Sequence, residues 1–188
     1  MNLWQGNNPN ATGGYYWPSD PKSNPLTPYF NNEVKRDQMA RKLALDFIRN
    51  NPEKFFKLGF VKLYYYYKGD TSALSFSLNP TYPRLSEEIK LKITSIANGY
   101  YQIFMLISLF GAAACFLGKK YVDNRFIFYA AIIIILYFTA VHFVFPAMDR
   151  YRFPIMPMFS LFAGLGLTII LNRLDFFRTK LLRIDKRK

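Results

Sequence analysis

Three runs in the second half of this chain are too long and too apolar for the rest of it to cover. Tyr100–Leu117 is eighteen residues without a formal charge, Phe126–Ala147 is twenty-two, and Phe153–Leu171 is nineteen. The middle run contains four consecutive isoleucines, Ile132 to Ile135. A hydrocarbon core of about 30 Å takes roughly 20 apolar residues as a helix. As core helices of a water-soluble domain, three such runs within ninety residues would leave no chain for the amphipathic helices that must cover them. The sequence therefore predicts a mainly α, polytopic membrane protein. Its three transmembrane helices fall at about 100–117, 126–147 and 153–171, within residues 99–171. A small, loop-rich, mostly helical region, residues 1–98, precedes them, and a basic tail, 172–188, follows. A mean hydropathy of zero averages two unlike halves and conceals this division.

Charge sets the expected orientation. The chain holds 25 Lys and Arg against 12 Asp and Glu, a net charge of +13. Lys119, Lys120 and Arg125 lie in the first short connection, and seven more basic residues, Arg173 to Lys188, lie in the tail. The opposite connection has only Arg150 and Arg152. Basic loops stay cytoplasmic, so the first connection and the tail are expected inside and residues 1–98 outside, at a bacterial inner membrane. The tail also favours anionic lipid headgroups, and its role as a topology signal is enough to explain it without nucleic acid. Residues 1–98 must then be translocated, yet Met1–Gln5 has neither a charged start nor an apolar core of a signal peptide. The expectation that follows is a transmembrane segment upstream, which makes this chain the C-terminal piece of a longer protein. One cysteine, Cys115, excludes an internal disulfide and a zinc knuckle.

The outer region begins with turn chemistry: Gly6-Asn7-Asn8-Pro9, Gly13-Gly14, then Pro18, Pro21, Pro25 and Pro28. A short strand is expected at Tyr15–Trp17. Asn32 caps a helix over 32–49, with Ala40, Leu43, Ala44, Phe47 and Ile48 on one face. Asn51-Pro52-Glu53 carries the signals for a second helix start, and that helix runs over 52–68. It mixes Phe55, Phe56, Phe60 and Tyr64 to Tyr67 with Lys54, Lys57, Lys62 and Lys68. Rings with lysines between them suit the bilayer interface, and a core helix of the outer region is the other reading. Residues 69–85 read as a loop with Pro80 and Pro83, after which Ser86, Glu87 and Glu88 open a helix continuous with the first span.

Few residues offer chemistry. His142, the only histidine, is expected to bond a neighbouring backbone carbonyl, and Cys115 to pack. No metal-ligand cluster, phosphate loop or Ser-His-Asp set can be assembled, and no cofactor is expected. Asp149-Arg150-Tyr151-Arg152-Phe153-Pro154 is sharper. Two guanidinium groups at the outer headgroup level can hold a lipid phosphate through their planar forks, or they can anchor the span in the interface. Asp149 is placed to pair with either arginine. Ser160, Gly164 and Thr168 recur every fourth residue, a small-residue stripe that predicts close packing against a partner helix.

Three stretches, in this order, resemble one family. They are Asn2-Leu3-Trp4-Gln5-Gly6-Asn7-Asn8-Pro9-Asn10-Ala11-Thr12-Gly13; then Arg36-Asp37 through Ala44, Phe47-Ile48, Asn51-Pro52, Phe55, Leu58 and Lys62; then Arg150-Tyr151-Arg152-Phe153-Pro154 with Pro157 and Phe162-Ala163-Gly164. Together they resemble the C-terminal half of bacterial membrane glycosyltransferases of family 39. These are relatives of dolichyl-phosphate-mannose protein mannosyltransferases and of lipid A aminoarabinose transferase. The resemblance implies a GT-C fold and a hexosyl- or pentosyltransferase. Its polyprenyl-phosphate-linked sugar donor would give the sugar to an acceptor on the outer face. It implies donor-phosphate binding at Arg150 and Arg152, with Asp149, Tyr151, Asn7, Asn8 and Lys62 in support. The family's acidic residue lies in a first outer loop to which nothing here corresponds, so no catalytic residue is assigned. The chain alone is expected to be inactive and to need the missing N-terminal transmembrane half as its partner. A second class of function, a non-catalytic membrane accessory or assembly protein, is compatible with the same residues.

Overall fold

The computed structural model describes residues 1–71, 74, 85–117 and 125–185, with side chains as far as residue 174. The loop expected around Pro80 and Pro83, the lysines of the first connection and the side chains of the distal tail lie outside the described residues. What is described is mainly helical, and no strand occurs among those residues. Three helices are long and apolar enough to cross a membrane. Contacts divide the chain into two units: Met1–Leu85 with Leu136–Arg152, and Ser86–Ile135 with Phe153–Lys188.

The first unit starts with a single-turn helix, α1 (Asn2–Gly6), followed by two short 3-10 turns, Pro21–Ser23 and Thr27–Tyr29. The expected strand at Tyr15–Trp17 does not form. Tyr16 and Trp17 instead turn their rings onto Trp4, 6.4 and 6.2 Å between centroids, and have no neighbouring strand to pair with among the described residues. Helix α2 (Glu33–Asn50) begins at Asn32, whose side chain accepts from the Lys35 N–H. Ala40 and Ala44 are fully buried against Trp4 and Leu26, so small residues let the loop lie close on the helix. Helix α3 (Pro52–Tyr67) follows after one residue. Asn51 stands at its N-cap position, as expected, and its carbonyl accepts from Phe55 N at 3.0 Å, but its side chain makes no cap bond. Its side-chain N–H₂ donates to the Phe47 carbonyl at 3.1 Å and so closes α2, while Pro52 sits in the first turn of α3, where a missing N–H costs nothing.

The second unit is built on two long helices. Helix α4 (Glu87–Leu117) opens at Ser86, whose Oγ accepts from Ile89 N, and runs unbroken through the first apolar run. Helix α5 (Phe126–Val144) lies in this unit to Ile135 and in the first from Leu136. It stops two residues before Pro146, short of the expected 147, because proline restricts the residue before it. A 3-10 segment, Asp149–Ile155, then leads to helix α6 (Met156–Asp185), which carries on past the expected end at 171 into the basic tail. Helices α4 and α6 touch at Gly111 and Gly166. A Cβ on Gly111 would sit 1.9 Å from the Phe162 carbonyl oxygen, and one on Gly166 2.5 Å from that of Ile107. Ser108 Oγ bonds Phe159 O across the same seam at 3.1 Å. The stripe expected from the sequence takes no part in this seam: Ser160, Gly164 and Thr168 are exposed, and a Cβ on Gly164 would meet nothing within 4 Å, so no helix among the described residues packs closely on it there.

Candidate functional site

The site is best built from Asn7. Residues 1–13 can approach the rest of the first unit only because two positions lack a Cβ. One on Gly6 would lie 2.9 Å from the Pro146 nitrogen. Gly13 has φ +95°, a left-handed conformation that favours glycine, and its missing Cβ would lie 2.8 Å from Val61. The Gly13 carbonyl accepts from Ala147 N at 3.3 Å. Asn8 steadies the loop: its Nδ2 donates to Trp4 O at 2.8 Å and its Oδ1 accepts from Asn10 N at 2.9 Å. Asn7, fully buried, donates from Nδ2 to both Leu3 O and Val144 O at 2.8 Å.

Lys62, on α3, is also fully buried. Its Nζ donates to Asn7 Oδ1 and Val144 O, each at 2.8 Å, and to Phe143 O at 3.4 Å. Three acceptors meet the three N–H groups of an ammonium. Two of them are the last carbonyls of α5, where the helix leaves acceptors unsatisfied and carries partial negative charge. Burial pushes the Lys62 pKa down to about 8, so the amine is still charged at neutral pH.

Arg152 makes the reciprocal bond. It is buried, and its Nη1 and Nη2 donate to Tyr66 O and Gly69 O at 2.5 and 2.6 Å. The first belongs to the last turn of α3 and the second lies two residues beyond it. A cation from α3 thus caps α5, and a cation just beyond α5 caps α3. Asp149, also buried, accepts from Arg150 N at 2.8 Å and from Thr71 N at 2.7 Å. His142 bonds the Phe138 carbonyl through Nδ1 at 2.8 Å and is stacked between Tyr66, 4.4 Å away, and Tyr151, 5.6 Å away.

These contacts separate the two arginines. Arg152 spends both terminal nitrogens on the chain's own carbonyls, whereas Arg150 is exposed. The Arg150 guanidinium lies 5.2 Å from the Tyr151 ring centroid and 3.4 Å from its hydroxyl. Tyr151 also forms part of the wall of a cleft of about 280 Å³, with Gln5, Tyr15 and His142. All seven residues singled out in the sequence, Asn7, Asn8, Lys62, Asp149, Arg150, Tyr151 and Arg152, lie in the same unit, and hydrogen bonds join Asn7 to Lys62 and Arg152 to the end of α3. It adds Tyr66 and Thr71, which carry no motif. Comparison with family models, with curated proteins and with solved structures finds no match to this chain.

Proposed function

We propose that this chain is the C-terminal portion of a membrane glycosyltransferase that takes a sugar from a polyprenyl-phosphate donor on the outer face of a bacterial inner membrane. One observation carries the reading. The three stretches on which the resemblance rests are far apart in sequence, yet Asn7, Lys62 and the turn 149–152 are held in one unit by hydrogen bonds. The excess of basic residues in the first connection and the tail supports an external position for residues 1–98. On α3, Phe56, Phe60 and Tyr64 are exposed at every fourth position. Phe56 and Phe60 touch Phe143 in the last turn of α5, 6.1 and 5.5 Å between ring centroids. An exposed aromatic row beside the end of an apolar helix suits a bilayer interface.

Sugar transfer from a phosphate leaving group needs charge stabilisation and activation of the acceptor. In this reading Arg150 supplies the first, with Arg152 and Asp149 positioning the turn that carries it. The second comes from the N-terminal half. The test is donor binding in nanodiscs drawn from native membranes, with a short-chain polyprenyl-phosphate sugar as ligand. A lost charge-assisted hydrogen bond costs roughly 1.5–3 kcal/mol. Arg150→Ala should therefore weaken binding by about ten- to a hundredfold. Arg150→Lys should weaken it nearly as much, since the fork is lost while the charge stays. A lysine variant with unaltered affinity would leave Arg150 as an interfacial anchor and remove the phosphate role.

A further inference from the structure

The N-terminal loop and α2 line a second, open cleft, of about 440 Å³, on the first unit. That volume falls within the range of about 300–1,000 Å³ usual for small-molecule sites. The aromatic part of its lining is Tyr16, which is half-buried, and Trp4, which is 4% exposed. Asp46 and Asn50, one turn apart on α2, line the cleft together with Asn10 and Ser23 from the loop. Asn10 and Asn50 are exposed and Asp46 is half-buried, and among the described residues no side chain or backbone group bonds the Asp46 carboxylate or the two side-chain amides, so all three open to the solvent of the cleft. Ser23 Oγ donates to Asp20 O at 2.8 Å and keeps its acceptor lone pairs.

We propose that this cleft binds a neutral, polyhydroxylated ring, a carbohydrate. Each sugar hydroxyl is both a donor and an acceptor, and a side-chain amide offers both in one plane, so two amides and a carboxylate match a run of vicinal hydroxyls. The C–H face of the ring is apolar and covers the aromatic part of the lining, as amphipathic ligands do in mostly apolar pockets. The lining holds one carboxylate and no Lys, Arg or His. An anionic ligand would therefore meet the Asp46 carboxylate with no cationic side chain in the lining. A peptide is recognised mainly through strand pairing at a sheet edge or through apolar anchors in a groove, and the described residues contain no strand. The inference goes beyond the transferase reading and does not depend on it, because it uses neither Arg150 nor a donor lipid.

The experiment is saturation-transfer NMR on the full chain in nanodiscs, with methyl hexosides, an N-acetylhexosamine, a hexuronic acid and a tetrapeptide as probes. A neutral glycoside should bind saturably in the millimolar range and the hexuronate more weakly. Asp46→Ala and Asn50→Ala should each weaken binding about tenfold or more. Both substitutions place alanine, the best helix former, on α2, and unchanged helicity by circular dichroism identifies a folded variant. Lys42→Ala, on an exposed part of α2 outside the cleft, should leave binding as it is. Saturation by none of the neutral sugars, equal binding of the hexuronate, binding of the peptide alone, or folded variants that bind like wild type would each overturn the assignment. Loss of donor binding in Arg150 variants with glycoside binding intact would leave it standing.

Discussion

Lys62 shows how one buried charge shapes the chemistry of the unit around it. Replacing it by methionine leaves Asn7 Oδ1 and the Phe143 carbonyl without their donor, and the Val144 carbonyl with the Asn7 amide alone. An unsatisfied buried acceptor costs about 1–3 kcal/mol, and Lys62→Met should be destabilised by that order at pH 7. The pH dependence carries the opposite sign. Burial holds the folded pKa at about 8 against 10.5 for a free lysine. Between those values the unfolded chain binds more protons than the folded one, so the lysine's contribution to stability rises with pH. The melting difference between wild type and Lys62→Met in detergent should widen as pH passes from 8 towards 10, by at most ~3 kcal/mol. Burial also raises the Tyr67 pKa, but that residue is common to both proteins and cancels. A flat difference would mean that the amine is not enclosed. None of this was legible beforehand. A lysine between aromatic residues reads equally as a snorkelling side chain, and the partners that decide the matter lie 55 and 82 residues away. Arg150 and Arg152 are two apart with the same chemistry, and only tertiary contacts assign one inward and one outward. By contrast, the Asn32 cap and the His142 bond to the carbonyl four residues back are local, and the sequence predicts both.

At the scale of elements the spans were legible and their packing was not. Length and apolarity locate a helix, whereas the face it uses depends on where a second helix comes closest. The Ser160, Gly164 and Thr168 stripe satisfies the small-residue pattern, yet the close approach occurs at Gly111 and Gly166, neither of which belongs to a conspicuous repeat. The contrast can be measured. Gly111→Ala puts a methyl group 1.9 Å from a backbone oxygen that cannot swing away, and overpacking of this kind costs typically about 1–3 kcal/mol. Gly164→Ala meets nothing within 4 Å and gains up to about 1 kcal/mol of helix propensity. Thermal unfolding in detergent should show a lowered midpoint for the first and an unchanged or raised one for the second. Equal midpoints would show that α4 and α6 do not meet at these glycines. The candidate carbohydrate cleft was half legible in the same sense. Asp46 and Asn50 fall on one helix face by their spacing, but nothing in the order of residues 1–25 indicates that Asn10 and Ser23 turn towards them.

For the whole molecule the prediction concerns topology. With Cys115, which is buried, replaced by alanine, Arg150→Cys should label with a membrane-impermeant maleimide added to intact spheroplasts. Lys120→Cys should label only after the membrane is opened. The distribution of basic residues requires this pattern, and the reverse would place residues 1–98 in the cytoplasm. The paired capping of α3 and α5 has a further consequence, for timing. The Tyr66 and Gly69 carbonyls at the end of α3 receive the Arg152 guanidinium from 83 and 86 residues further along the chain. During synthesis at about 5–20 residues per second, the end of α3 therefore waits roughly 4–17 s for its cap. Until then, residues 1–71 remain an unfinished structure, in which Lys62 and Tyr66 lack the partners that residues 142–152 supply. Maturation of the first unit is thus coupled to translation of the second connection.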